Sequence, residues 1–174
     1  LPLFNKLTPL GDGDLKQRLF NLAERTGFSA QTIEVIDGSK RSGHSNAFFT
    51  GFGRFRRIVL YDTLITQMED EEVEAVLAHE IGHYKEGHIP KKLLISFMTG
   101  LFGFYLISLS MQQSWLYRGL GLPNDYVGSI SAILIGLVLF LPNFSYWLSP
   151  ISNVFSRKHE YEADRFAKNA MKRC

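Results

Sequence analysis

Apolar positions recur at helical spacing over residues 12–27, where Leu15, Leu19, Leu22 and Ala23 fall on one side of an amphipathic helix. Asp12 or Asp14 is placed to cap its start and Gly27 to end it. The period then changes. Thr32 to Ile36 reads as a strand, Asp37 to Gly43 as a basic turn-rich stretch, and Asn46 to Thr50 and Arg57 to Tyr61 as two further strands. The Gly51-Phe52-Gly53 turn signal between these two predicts a hairpin in a small sheet. Asp62 can cap a short helix through Met68, and Glu69, Asp70, Glu71 and Glu72 open a longer one, where acids suit the positive end of the helix dipole.

Two long apolar runs follow. Residues 93–117 give 25 consecutive positions without a charge and residues 126–156 give 31. Crossing about 30 Å of hydrocarbon takes roughly 20 helical residues, so each run is long enough. Trp115, Tyr117, Tyr126, Tyr146 and Trp147 fall near the expected interfaces. Membrane helices are predicted over 93–117 and 126–148, with Pro142 kinking the second. The short loop 118–125 makes them an antiparallel hairpin, which puts both polar parts of the chain on one side of a lipid bilayer. Lys91, Lys92, Arg157 and Lys158 flank the hairpin on that side, against Arg118 and Asp125 in the loop, so the positive-inside bias makes it the cytoplasmic side.

Charge sharpens the division. Of the Asp, Glu, Lys and Arg residues, 25 lie in residues 1–92, only 2 in 93–150 and 9 in 151–174. The near-zero mean hydropathy of −0.02 is therefore an average over a polar front, an apolar middle and a polar tail. A net charge of +2 gives no reason to expect a nucleic-acid partner. Cys174 is the lone cysteine, so neither an intramolecular disulfide nor a cysteine-built zinc site is expected. No basic region followed by an apolar run opens the chain, and the first residue is Leu1; the reading is of a fragment or a processed product.

The chemistry lies in His79-Glu80-Ile81-Gly82-His83. Histidines four apart share a helix face and can present two imidazole nitrogens to one Zn²⁺, with Glu80 beside it to accept a proton from water. Ala75, Ala78 and Gly82 recur along the same side and would let another helix come close. A catalytic zinc needs a third protein ligand. On a continuous helix His88 would stand about 140° from His83 and about 180° from His79, so it is turned away. Glu160 is the best third ligand. It lies beyond the apolar runs in Ser156-Arg157-Lys158-His159-Glu160-Tyr161-Glu162-Ala163-Asp164, with His159 a weaker competitor and Glu162 pointing to the opposite side. Asp164, one turn on, would accept the N–H of a ligating imidazole and fix its tautomer. Ala163 and Ala167 share that stripe and could pack on Ala75, Ala78 and Gly82.

These segments, with SKRSGHSNAFFTGF, RRIVLYDTL, VLAHEIGHYKEGH and SRKHEYEAD, make the chain resemble the membrane-embedded zinc endopeptidases that include the CAAX prenyl proteases, within the gluzincin class. The resemblance implies His79, His83 and Glu160 as ligands of one zinc, Glu80 as catalytic base and Asp164 as the carboxylate behind a ligand. It also implies that the strand at Asn46, Ala47 and Phe48 borders the cleft and pairs with extended substrate. Family members usually carry further membrane helices before the position of Leu1 and more chain after Cys174.

The expected fold is α+β and mainly α. Residues 1–92 and 151–174 would form the two parts of a peptidase domain with a small sheet, and residues 93–150 a transmembrane helical hairpin. The expected activity is zinc-dependent hydrolysis of peptide bonds in a peptide or protein substrate, near the C-terminus of prenylated CAAX-type proteins. The alternatives are a metalloprotease of membrane-protein quality control, or a non-catalytic module in which zinc pins the hairpin to the polar part.

Overall fold

The alternation read in Thr32 to Ile36 and Arg57 to Tyr61 builds the centre of a mixed sheet. The computed structural model describes residues 7–37, 46–50, 56–110 and 113–172. Their order is β1 (Leu7–Pro9), α1 (Asp14–Arg25), β2 (Thr32–Ile36), β3 (Ala47–Thr50), β4 (Arg57–Tyr61), α2 (Asp62–Gln67), α3 (Asp70–Lys85), α4 (His88–Ser110), α5 (Ser114–Gly119), a 3-10 turn at Asn124–Tyr126, and α6 (Ile130–Met171). The chain divides into two compact units. The first runs to Gly87 and resumes at His159, and the second is His88–Lys158.

In the first unit the strand order is β1-β2-β4-β3. β2 and β4 run parallel, with Ile33 beside Ile58 and Val35 beside Leu60. β3 and β4 form the expected antiparallel hairpin pair, Ala47 opposite Leu60 and Phe49 opposite Ile58; its predicted turn at 51–53, like most of the basic turn 37–43, lies outside the described residues. Ile33, Ile58, Leu60 and Ala47 point to one face and close a core with Leu19 and Leu22 of α1 and Val73, Leu77, Ala78 and Ile81 of α3. β3 pairs only with β4 among the described residues, so it is an edge strand.

The helix ends differ in detail from the sequence reading. Neither Asp12 nor Asp14 caps α1. Gly13 occupies that position, and the two aspartates reach forward one turn to Lys16 at 2.7 Å and Arg18 at 3.0 Å. Asp62 is the first residue of α2 rather than its cap, accepting the Thr63 N–H at 2.9 Å. Gly27 does end α1, at φ +63°, with the Phe28 N–H donating to Ala23 O and the Gly27 N–H to Glu24 O. α3 opens as its acidic sequence demands, and the Glu69 N–H donates to the Glu72 carboxylate at 3.0 Å. A continuous helix from Glu69 through His88 is not what forms. Gly87 takes φ +64° and stops α3, so His88 starts a new helix.

In the second unit the first apolar run is split, because α4 stops at Ser110 and α5 begins at Ser114. The second helix starts at Ile130, after the Asn124–Tyr126 turn and a left-handed Gly128 at φ +80°. The Gly128 N–H donates to the hydroxyl of Tyr117, which is buried. Pro142 and Pro150 sit inside α6 without ending it. Each removes one backbone hydrogen bond and crowds the carbonyl four residues before it. Among the described residues α4 is the one helix long and apolar enough to cross a membrane, and the apolar stretch Ile130–Leu139 is shorter. Among the described residues of this unit Tyr117 and Ala132 are the buried hydrophobic ones, while Leu93, Phe104 and Val138 are each at least 70% exposed.

Replacing Gly27 tests the α1 terminus. A Cβ there forces an L-residue into the left-handed region and meets Lys85 Nζ at 3.3 Å. Gly27→Ala is expected to cost about 1 kcal/mol, read as a lower thermal midpoint in detergent.

Candidate metal centre

α3 has two jobs on two faces. Val73, Leu77, Ala78 and Ile81 are fully buried against the sheet and α1. Rotated away from them, His79 and His83 lie one turn apart and half-buried. The end of α6 packs here through small residues. Ala163 is fully buried, and a Cβ built on Gly82 would come within 3.0 Å of Ala163 Cα, 3.1 Å of its carbonyl oxygen and 3.2 Å of Phe166 Cβ. A side chain at this position would need the α6 backbone to give by a few tenths of an ångström. Of the small residues read in both segments, Gly82 and Ala163 mark the place where the two helices meet, Ala78 and Ala167 belong to the core beside it, and the approach carries Glu160 and Asp164 to the histidine face.

Three donor atoms converge. Nε2 of His79 lies 3.1 Å from Nε2 of His83, and Oε2 of Glu160 lies 3.4 Å and 3.5 Å from them. Tetrahedral zinc with bonds near 2.1 Å sets its ligand atoms about 3.4 Å apart. The triangle therefore fits one such ion, with the fourth corner open. The donor set of two imidazoles and a carboxylate is also one that zinc accepts at catalytic sites. Glu160 is 54% exposed and Asp164 66%, so the site faces an open side.

Asp164 fixes the imidazole behind the triangle. Its Oδ1 lies 2.8 Å from Nδ1 of His79, so that nitrogen carries the proton and donates, leaving the Nε2 lone pair directed at the centre. Glu80 neighbours both histidines. Burial pushes its carboxyl above the ordinary range, nearby His79 opposes this, and the Glu160 charge adds to it. Of the other residues weighed in the sequence, His159 and Glu162 flank Glu160 on α6 and lie outside the triangle, and His88 opens α4.

Asn46, Ala47 and Phe48 lie at the start of the edge strand. The Asn46 carbonyl accepts the Tyr61 N–H at 3.0 Å, so it faces β4. By the alternation of an antiparallel ladder, Ala47 and Phe49 then turn their peptide groups to the open edge. The Asn46 side chain covers the Ala47 N–H at 2.9 Å, and the Phe48 ring packs edge-on against Tyr61. Sequence reasoning missed Arg56 and Tyr84, which stack on each other beside this strand. Tyr84 directly follows His83, but no spacing rule singles out an arginine and an aromatic from separate segments.

Two imidazoles one turn apart on one helix, with a carboxylate from a second within reach, form a group that could hold a metal ion of the kind helical metallopeptidases use. The chain belongs to Peptidase family M48, whose model matches residues 9–174. It is similar to the CAAX prenyl protease 1 homolog of Dictyostelium discoideum, 45% identical over an aligned length of 175 positions that covers 95% of this chain and 39% of that protein. CAAX prenyl protease 1 of Saccharomyces cerevisiae is 40% identical over an aligned length of 181 positions, which covers 97% of this chain and 40% of that one. The crystal structure of S. mikatae Ste24p matches with a TM-score of 0.80 at 39% identity, covering 97% of this chain and 42% of that chain. The chain spans about two fifths of the length of these relatives.

The close approach can be tested directly. Gly82→Ala must push the α6 backbone away, and overpacking of this kind costs about 1–3 kcal/mol. The expected result is a lower thermal midpoint together with weakened metal binding in a chelator titration, since Glu160 moves with Ala163.

Proposed function

We propose that this chain carries the catalytic centre of a zinc-dependent membrane endopeptidase that cleaves near the C-terminus of prenylated proteins. The closed triangle of His79, His83 and Glu160 is the observation that supports it, because its edges suit one zinc ion and leave a corner for the reaction. Bound there, zinc would supply a Lewis acid that activates water and polarises the scissile carbonyl. Glu80 takes the proton of the attacking water on its carboxylate and passes it to the leaving amine. Asp164 holds the His79 tautomer and raises the basicity of its Nε2. The strand at Asn46, Ala47 and Phe48 receives extended substrate along its open edge through the outward peptide groups of Ala47 and Phe49, as β-strand addition requires, while the Asn46 and Phe48 backbones stay paired with β4.

The substrate class rests on similarity to proteins named CAAX prenyl proteases. Membrane placement rests on α4 and on the apolar part of α6 acting as a two-helix hairpin. Their large apolar side chains are exposed, a surface stable in hydrocarbon and costly in water. Lys91, Lys92, Arg157 and Lys158 outnumber the loop's Arg118, which favours a cytoplasmic catalytic side.

Three substitutions separate the roles. Glu80→Gln is expected to abolish peptide hydrolysis while one zinc per chain remains bound, measured by metal analysis of the purified protein. Glu160→Ala should lose zinc in competition with a chelator. Asp164→Asn keeps an acceptor for the imidazole N–H and loses only the charge, so zinc affinity or activity should fall roughly 10- to 100-fold. Hydrolysis by Glu80→Gln at the wild-type rate, or zinc retained without Glu160, would overturn the reading.

A further inference from the structure

One cluster in the first unit ties the edge strand to the helix that bears the histidines. Phe28, 2% exposed, packs its ring 4.5 Å from that of Phe49 on β3. The same ring meets Tyr84 of α3 edge-on at 5.3 Å and 82°. The guanidinium carbon of Arg56 sits 4.2 Å from the centre of the Tyr84 ring and 5.5 Å from that of Phe28. Its backbone is fixed as well, because the Arg56 carbonyl accepts the Gln31 N–H at 2.8 Å. The stack therefore runs from Tyr84, next in sequence to His83, through Phe28 to Phe49, with one cation lying on two of its three rings.

We propose that Arg56 is a positioning residue, and that its stack on Tyr84 and Phe28 sets the distance between the open edge of β3 and the metal helix α3. The inference rests on the peptidase reading given above. β3 has four residues and a ladder on one side only, so backbone pairing with β4 leaves its lateral position against α3 to side-chain contacts. Ala47 packs into the core with Leu77, Ala78 and Ile81 of α3, and Phe49 adds a second tie through the Phe28 ring to Tyr84, while its own peptide group faces the free edge where substrate would pair. A guanidinium over an aromatic face is held electrostatically as well as by packing, and the planar group lies flat where an aliphatic chain would not. Hydrogen bonds from β3 to a substrate backbone exist before and during the reaction alike, so loosening the strand weakens binding rather than the chemical step.

The experiment compares Arg56→Met and Arg56→Lys with the wild type in the full-length protein in detergent. For an extended peptide substrate, Arg56→Met is expected to raise KM roughly 5- to 10-fold, with kcat within about twofold and zinc affinity unchanged. Arg56→Lys keeps a cation over the ring and should recover most of the loss. Hydrogen exchange without substrate supplies a readout independent of catalysis. The Phe48 and Thr50 amides, which face β4, should exchange faster in Arg56→Met, while those of β2 stay unchanged. An unaltered KM with unaltered exchange overturns the proposal. So does a parallel fall of kcat, zinc affinity and thermal midpoint, which would mark Arg56 as a plain fold contact. Should the wild type cleave no peptide, the functional reading fails by itself, and the β3 exchange rates still decide the positioning role.

Discussion

The contact on which this structure turns is between two backbones. Gly82 has no side chain, Ala163 is fully buried against it, and a single methyl group on the glycine would overlap the opposing Cα and carbonyl oxygen. Asp164 lies 85 positions beyond His79, and it still reaches that ring at 2.8 Å. Carboxylates are short, and a helix pair held apart by leucines would leave them out of reach. Small residues thus set the range over which the chemistry operates.

The three donor atoms gather at one point. Two imidazole Nε2 atoms lie 3.1 Å apart with a carboxylate oxygen beside them, and when both nitrogens present lone pairs the cluster concentrates electron density. Such an arrangement is stabilised by a cation, and the hydrogen bond from His79 to Asp164 prevents that imidazole from turning its N–H inward to relieve the crowding. The rest of the first unit is conventional by comparison. Its apolar core lies on the far face of α3, so the helix is anchored by residues that take no part in the centre.

Much of this was legible in the chain because it depends on period. A helix places residues four apart on one face whatever surrounds it, so His79 with His83, and Glu160 with Asp164, could be paired from spacing. The strands at Thr32, Asn46 and Arg57 were legible from alternation and turn residues, although strand order was not. Nothing local says that β2 pairs parallel with β4 and leaves β3 at the edge. Helix ends were read less well, because they depend on single conformations. Gly87 could have been a helical glycine, and it is a left-handed stop that separates His88 from α3. The uncharged run from 93 to 117 reads as one helix by composition, yet it breaks before Ser114, since hydropathy carries no information about where a chain turns. The Arg56 stack joins residues from three segments by shape and charge, a relation that no period encodes.

α6 passes without a break from the second unit into the first, and with it the carboxylates reach the histidines. The order of synthesis follows. Sheet, α1 and α3 leave the ribosome before the end of α6, carrying two imidazoles and a core that Phe166, Ala167 and Ala170 of α6 have still to join. Glu160 emerges only after the whole of His88–Lys158 has been made, and closing so long a loop carries an entropic cost that the nascent chain meets late. A cluster assembled in this order lacks its carboxylate for as long as the apolar segment is unfinished, so the position of one glutamate in the sequence delays the three-donor arrangement until His88–Lys158 has been made.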